Sequence, residues 1–121
     1  MPTSRKRQTQ QQIDTSLGHI PPQSLDMEKV VLGALMIDTD AFSIVSELLK
    51  PETFYDPRHQ KIYHAIQTLN FNEQPVDMMT VCEELKREGT YNEVNAPTYI
   101  VDLTQLVASS ANIEYHARIL A

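Results

Sequence analysis

The sequence predicts an all-α fold, a compact orthogonal bundle of about six helices behind a disordered N-terminal tail. Three observations carry this reading. From Ser24 onward, apolar residues recur at three- and four-residue spacing, the pattern of amphipathic helices. No clean apolar/polar alternation appears, which disfavours sheet. Only three glycines occur in the whole chain, so few positions invite the tight turns that many short strands would need.

The tail spans residues 1–20. It carries Arg5, Lys6 and Arg7, then four glutamines, and its only large aliphatics are Ile13, Leu17 and Ile20. So little apolar surface does not offset the entropy of ordering. The basic cluster reads either as a nucleic-acid contact or, preferably, as a solvated tail. Pro21-Pro22 reads as an extended dipeptide that closes the tail, and the folded domain is read over residues 21–121.

The first helix is predicted from an N-cap at Ser24 to about Ile37, with Asp26 and Glu28 at the positive end of its dipole. Its apolar residues, Leu32 and Leu35 among them, cover most of the circumference, so it should be the central helix. Gly33 sits inside it at a cost of roughly 1 kcal/mol against alanine, which close approach of a neighbouring helix would explain. The second helix is expected from Thr39 to Leu49, with Ala41, Ile44, Val45 and Leu48 inward and Pro51 as its stop. The third opens on Asp56-Pro57, a cap followed by proline at the first helical position. It ends near Asn70 and turns Ile62, Ala65, Ile66 and Leu69 inward. The fourth runs from Asp77 to a glycine stop at Gly89, with Met78, Val81, Cys82 and Leu85 inward and Glu83–Arg87 as an exposed pair. The fifth starts near Asn95-Ala96-Pro97 and buries Tyr99, Ile100, Leu103 and Leu106. The sixth, capped by Ser109 or Ser110, buries Ile113, His116 or Ala117, and Leu120. No stop signal precedes Ala121, so this helix reads as cut rather than finished.

The net charge of −6 lowers the expectation of autonomous duplex-DNA binding, whose affinity rests on phosphate neutralisation. No run approaches about 18 apolar residues, and the N-terminus lacks the apolar core of a secretory signal, so the cytoplasm is the default location with no membrane contact. A single cysteine excludes an internal disulfide.

Glycines at positions 18, 33 and 89 cannot build a G-x-x-x-x-G-K-[ST] phosphate loop or a G-x-G-x-x-G turn. No nucleotide cofactor is therefore expected in this chain. Cys82 lies on an apolar stripe, where a buried thiol is inert. His59 and His64 share a helix but are five apart, not the spacing of a zinc-binding pair. His116 reads as a core histidine, and Asp38 with Asp40 as a cap and its neighbour without the other ligands of a calcium loop. Met79 is expected outside, off the fourth helix's stripe, and Tyr115 and Ile119 lie off the stripe of the last helix. These three are the candidate partner-facing residues. The residue pattern by itself supports a helical interaction domain without a catalytic, cofactor or metal site.

Four strings in order narrow this further. Pro21-Pro22-Gln23-Ser24 followed by Leu25-Asp26-Met27-Glu28-Lys29-Val30-Val31-Leu32-Gly33-Ala34-Leu35-Met36-Ile37-Asp38 resembles the opening of DnaB-family helicases, P-x-x-[SN]-x-E-A-E-x-x-[VL]-L-G. Phe54-Tyr55-Asp56-Pro57-Arg58-His59 with Gln60-Lys61-Ile62-Tyr63 resembles the family's F-Y-x-x-x-H-x-x-[IV]-[FY]. Pro75-Val76-Asp77-Met78-Met79-Thr80-Val81 resembles P-[IV]-D-x-[IVL]-T-[VL]. Ser110-Ala111-Asn112-Ile113-Glu114-Tyr115-His116-Ala117 resembles [SA]-A-N-[IA]-x-x-Y-[AC]. Asp26, Met27 and His116 depart from the usual Glu, Ala and aromatic.

The resemblance implies the N-terminal domain of a hexameric replicative helicase that unwinds duplex DNA with ATP and magnesium bound in a separate motor domain. It implies a collar arranged as a trimer of dimers, self-association, docking of primase, contact with a helicase loader, and single-stranded DNA passing through the parent ring. Two other readings stand beside it. One is a free-standing helical DNA-binding module using Arg5, Lys6 and Arg7. The other is the helicase-binding C-terminal domain of a primase, which the Leu32-Gly33 and Asn112-Ile113 strings fit less well.

Overall fold

The computed structural model describes residues 22–38, 40–107 and 109–121. The tail read over residues 1–20, with Arg5, Lys6 and Arg7, lies outside them. The described residues form seven α-helices and one 3₁₀ turn, with no strand.

Helix α1, Pro22–Ile37, begins two residues before the expected cap. Pro22 is its first residue rather than part of an extended dipeptide, because an amide hydrogen has no intrahelical partner there and proline costs nothing. Val31, Leu32, Ala34, Leu35 and Met36 are all buried, so α1 is the hub. It packs against α6, α7 and α3, with α2 beside it. A Cβ built on Gly33 would lie 2.3 Å from the carbonyl oxygen of Leu103. The glycine is where α6 crosses.

The second helix is much shorter than its periodicity suggests. Helix α2 covers only Ala41–Val45, and the chain then turns through Ser46–Leu48. Ala41, Phe42 and Val45 are buried while Ile44 is 47% exposed, against the expected stripe. Pro51 opens a 3₁₀ turn, Pro51–Thr53, that α3 packs on. Tertiary contacts set this path: Leu49 is buried, and its carbonyl accepts from the Tyr63 hydroxyl at 3.0 Å. Tyr63 also meets Phe42 and Phe54 at ring-centroid distances of 5.7 and 5.1 Å.

Helix α3, Pro57–Phe71, follows its caps as predicted: the Asp56 side chain accepts from the Arg58 N–H. Ile62, Ala65, Ile66 and Leu69 are buried, joined by His59 and Tyr63. Helix α4, Met78–Glu88, opens on a reciprocal box in which Asp77 accepts from the Thr80 N–H and Thr80 Oγ1 accepts from the Asp77 N–H. It closes on Gly89 at φ 79°, the left-handed conformation that favours glycine. Val81 and Leu85 are buried, but Met78 is 41% exposed rather than inward. The expected Glu83–Arg87 pair is replaced by two (i, i+3) pairs, Glu83 with Lys86 and the buried Glu84 with Arg87.

A four-residue helix absent from the sequence reading, α5 (Tyr91–Val94), buries Val94. Helix α6, Thr98–Gln105, buries Ile100 and Leu103. It ends before Leu106, which is 56% exposed. The last helix, α7, spans Ile113–Leu120 with Asn112 at its cap, two or three residues beyond the expected one. Ile113 and Ala117 are buried and Leu120 packs at the edge, while His116 is only half-buried. Ser110 does other work: its hydroxyl donates to Asp38 Oδ2 at 2.5 Å, fastening the approach to α7 onto the end of α1.

Candidate functional site

Two kinds of feature stand out beyond the core: outward apolar side chains, and one buried polar junction. Tyr115 and Ile119 project from one side of α7, 65% and 48% exposed, a helical turn apart. An (i, i+4) ion pair of Glu114 and Arg118 flanks them. Met79 is 73% exposed at the start of α4. It borders two open grooves, one of about 640 Å³ beside Leu69 and Gln74, the other of about 460 Å³ beside Cys82, Tyr91 and Val101. Helix α7 packs on α1 and α2, whereas α4 packs on α3, α5 and α6. The three candidate residues therefore form two surfaces, not one.

The polar junction was not foreseen. Asp56 and Pro57 start α3 so that His59, in its first turn, points between α1 and α6. Its ring is fully buried. Nδ1 lies 2.7 Å from Glu28 Oε1 of α1, and Nε2 lies 2.6 Å from the Tyr99 hydroxyl of α6. Glu28, itself 2% exposed, also accepts from the Tyr55 N–H at 2.7 Å. The His59 and Tyr99 rings stack, and the Arg58 guanidinium sits 4.1 Å from the Tyr99 centroid. Arg58 grips Asp56 through two nitrogens, at 3.2 and 2.8 Å.

Electrostatics follow the geometry. Burial pushes Asp56 up, but the hydrogen bonds and charge of Arg58 outweigh it and hold the carboxyl below its ordinary value. Burial pushes the Tyr99 hydroxyl up to about 12, with Asp56, Glu28 and Asp102 adding to it against Arg58. Burial, reinforced by Glu83, likewise raises the Cys82 thiol despite Lys86. On the α3–α4 face, Glu84 and Glu88 share a hydrogen bond. Burial raises both carboxyls, but the bonds from Glu88 and Arg87 hold Glu84 low while Glu88 stays high beside His64.

The Glu83–Lys86 and Glu84–Arg87 pairs line the larger groove. His59 is spent on Glu28 and Tyr99, His64 faces Glu88, and no three metal-ligating side chains converge among the described residues. Glu28 lies 31 positions from His59 and Tyr99 lies 40 away, so no local spacing announces the trio. The available signal was that Glu28 and His59 occupy fixed letters of two of the quoted strings. No described helix is long and apolar enough to cross a membrane.

Comparison with known proteins fits this arrangement. Residues 20–121 match the family described as DnaB-like helicase N terminal domain. The chain is 47% identical over 104 residues to the replicative DNA helicase DnaB of Rhodothermus marinus, covering 86% of this chain and 11% of that protein. It is 43% identical over 101 residues to that of Geobacillus stearothermophilus, covering 84% of this chain and 22% of that protein. These relatives are thus several times longer than the chain. The crystal structure of the N-terminal domain of DnaB helicase from Mycobacterium tuberculosis matches with a TM-score of 0.80 at 39% identity, over 84% of this chain and 71% of that one. A seven-helix fold of this kind, matched over nearly its whole described length, leaves one assignment: the chain belongs to the DnaB-like helicase N-terminal domain family.

Proposed function

We propose that this chain is the non-catalytic assembly and primase-docking domain of a hexameric replicative DNA helicase, working in the cytoplasm during chromosome replication. The observation that carries the reading is family membership joined to an outward apolar edge, Tyr115 and Ile119 on α7, with Met79 on a second surface. Exposed aromatic and aliphatic side chains of this kind are what protein interfaces bury. The sequence has no phosphate loop, so ATP and magnesium belong to a separate motor domain, and single-stranded DNA to the parent ring. A helicase loader is a further partner on this reading. The edge on α7 and the surface around Met79 are the two candidate partner surfaces.

Ultracentrifugation and binding to the C-terminal domain of a primase test this. Tyr115→Ala with Ile119→Ala should weaken self-association, and primase capture should be lost with one of the two surfaces, Tyr115→Ala with Ile119→Ala or Met79→Asp, without unfolding the domain. Two exposed side chains fall far short of the ~1,200 Å² buried in a stable interface, so the chain alone should be monomeric or weakly dimeric. A tight hexamer indifferent to both changes, or ATP turnover that tracks this chain, would refute the reading.

A further inference from the structure

Phe71 closes α3 and is 86% exposed, the most exposed large apolar side chain among the described residues. The turn after it is firmly bonded. The Asn72 N–H donates to the Thr68 carbonyl at 3.0 Å, the Glu73 N–H to Asn70 at 3.0 Å and the Gln74 N–H to Leu69 at 2.9 Å. Glu73 takes φ 58° in this turn, a left-handed backbone that is costly for any residue with a side chain. The backbone that carries Phe71 is thus held in hydrogen bonds while its ring is left to solvent.

Leu69 and Gln74, on either side of Phe71 in the chain, line the groove of about 640 Å³. Its other lining residues run along α4 from Asp77 to Arg87, with Met79 among them. That is about 15 Å of helix, nearly three turns. A groove that follows a helix this far suits a second helix, which anchors in it by side chains at i, i+3, i+4 and i+7.

Charge defines what that helix carries. Residues 62–85 contain no lysine or arginine but hold Glu73, Asp77, Glu83 and Glu84. Lys86 and Arg87, at the far end of the groove, are taken by Glu83 and Glu84. Asp77 gives one oxygen to the Thr80 N–H, an amide rather than a cation. Among the described residues no cation pairs with Glu73 or Asp77. Phe71 and Met79 therefore stand on a surface whose unmatched charge is negative. Such a surface repels phosphate backbones and anionic headgroups and attracts lysine and arginine.

We propose that the α3–α4 turn and the groove along α4 form a docking surface for a basic amphipathic helix of another protein, with Phe71 and Met79 as apolar anchors and Glu73 and Asp77 as charge partners. This rests on the reading of Met79 as partner-facing and extends that surface to the turn. The apolar stripe of the incoming helix covers Phe71 and Met79. Its basic residues lie toward the turn, away from Lys86 and Arg87. In such contacts buried aromatic and aliphatic anchors supply tightness, and rim charges supply the choice of partner.

The probes are two synthetic helical peptides with the same leucine stripe, flanked by lysines in one and by glutamates in the other. Each is added to the intact chain and followed by fluorescence anisotropy and by NMR of the Met79 methyl and the Phe71 ring. Expected is saturable binding of the lysine peptide that moves both signals, leaves the buried Met36 methyl in place and weakens with added salt. Phe71→Ala should weaken it by about tenfold or more. Glu73→Lys should weaken it by about two- to fivefold. Both side chains are exposed, so thermal melting should match wild type. Equal binding of the two peptides, no saturable binding, a duplex oligonucleotide that binds at Phe71, or wild-type binding by Phe71→Ala would each overturn the proposal. Met79→Asp separates it from the reading beneath it. Loss with Met79→Asp alone, and with neither Phe71→Ala nor Glu73→Lys, would keep Met79 partner-facing and remove the turn from the surface.

Discussion

Gly33→Ala should destabilise the domain even though alanine is the better helix former. Propensity alone predicts a gain of about 1 kcal/mol in a helix interior. The structure opposes it. The added methyl would stand 2.3 Å from the Leu103 carbonyl oxygen and 3.3 Å from Val107 Cγ2. The first contact is about 1.1 Å inside ordinary van der Waals distance. Its partner is helical backbone, not a flexible side-chain tip, so α6 must move as a unit. Overpacking of this kind costs about 1–3 kcal/mol, and a rigid obstacle places it at or above the upper end. The net loss is then about 2 kcal/mol or more, or a melting point lower by roughly 8–15 °C. Urea and thermal unfolding of the two proteins measure it. Gly89→Ala is the control: nothing lies within 4 Å there, so its loss comes from the left-handed backbone alone, and Gly89→Asn should recover part of it. An unchanged or raised midpoint for Gly33→Ala would show that α1 and α6 do not cross at this glycine.

Leu32→Ala, at a fully buried position of the hub helix, should cost roughly 2–5 kcal/mol in urea; an unchanged midpoint would remove α1 from the centre. Glu28→Ala removes the acceptor shared by the Tyr55 amide and the buried His59 ring and should cost about 1–3 kcal/mol, more than an average surface change by a margin that chemical denaturation resolves. Asp56 titrates below its ordinary value, so its contribution is present above the unfolded value of 3.8 and is lost as pH falls through the lower folded one. Asp56→Asn, which keeps a capping oxygen, should therefore flatten the acid limb of the stability profile. Cys82, with its thiol raised, should react slowly with a disulfide reagent at neutral pH and rapidly in denaturant; equal rates would mean that the thiol is open to solvent.

Helix boundaries were legible where the cap chemistry is local. Asp56-Pro57, Asp77 with Thr80, and Gly89 each satisfy or release backbone groups within four residues, so α3 and α4 match their predicted limits. Boundaries set by distant partners were not. Helix α2 stops at Val45 although Leu48 continues its spacing, because Leu49 must reach the core and hand its carbonyl to Tyr63. Helix α5 has one buried anchor, Val94, too little for a periodic signal. Met78, Ile44 and Leu106 fit inward stripes by spacing but sit at or just beyond helix ends and are left 41%, 47% and 56% exposed. The polar junction escaped for the same reason: its members belong to three helices, and charge on a helix face reads as solvated until the facing helix is known.

The fastening of Asp38 to Ser110 joins positions 72 apart in sequence. Closing so long a loop is entropically expensive and comes late, after local helices have formed. Helix α7 docks on α1 through the same closure, so the apolar surface of the hub is covered on that side only with α7 in place. The direction of Tyr115 and Ile119 relative to α1 is fixed by that docking. A ribosome-bound or partly opened chain would present them in no defined geometry, and binding that requires both together would discriminate finished domains from unfinished ones without any separate proofreading step.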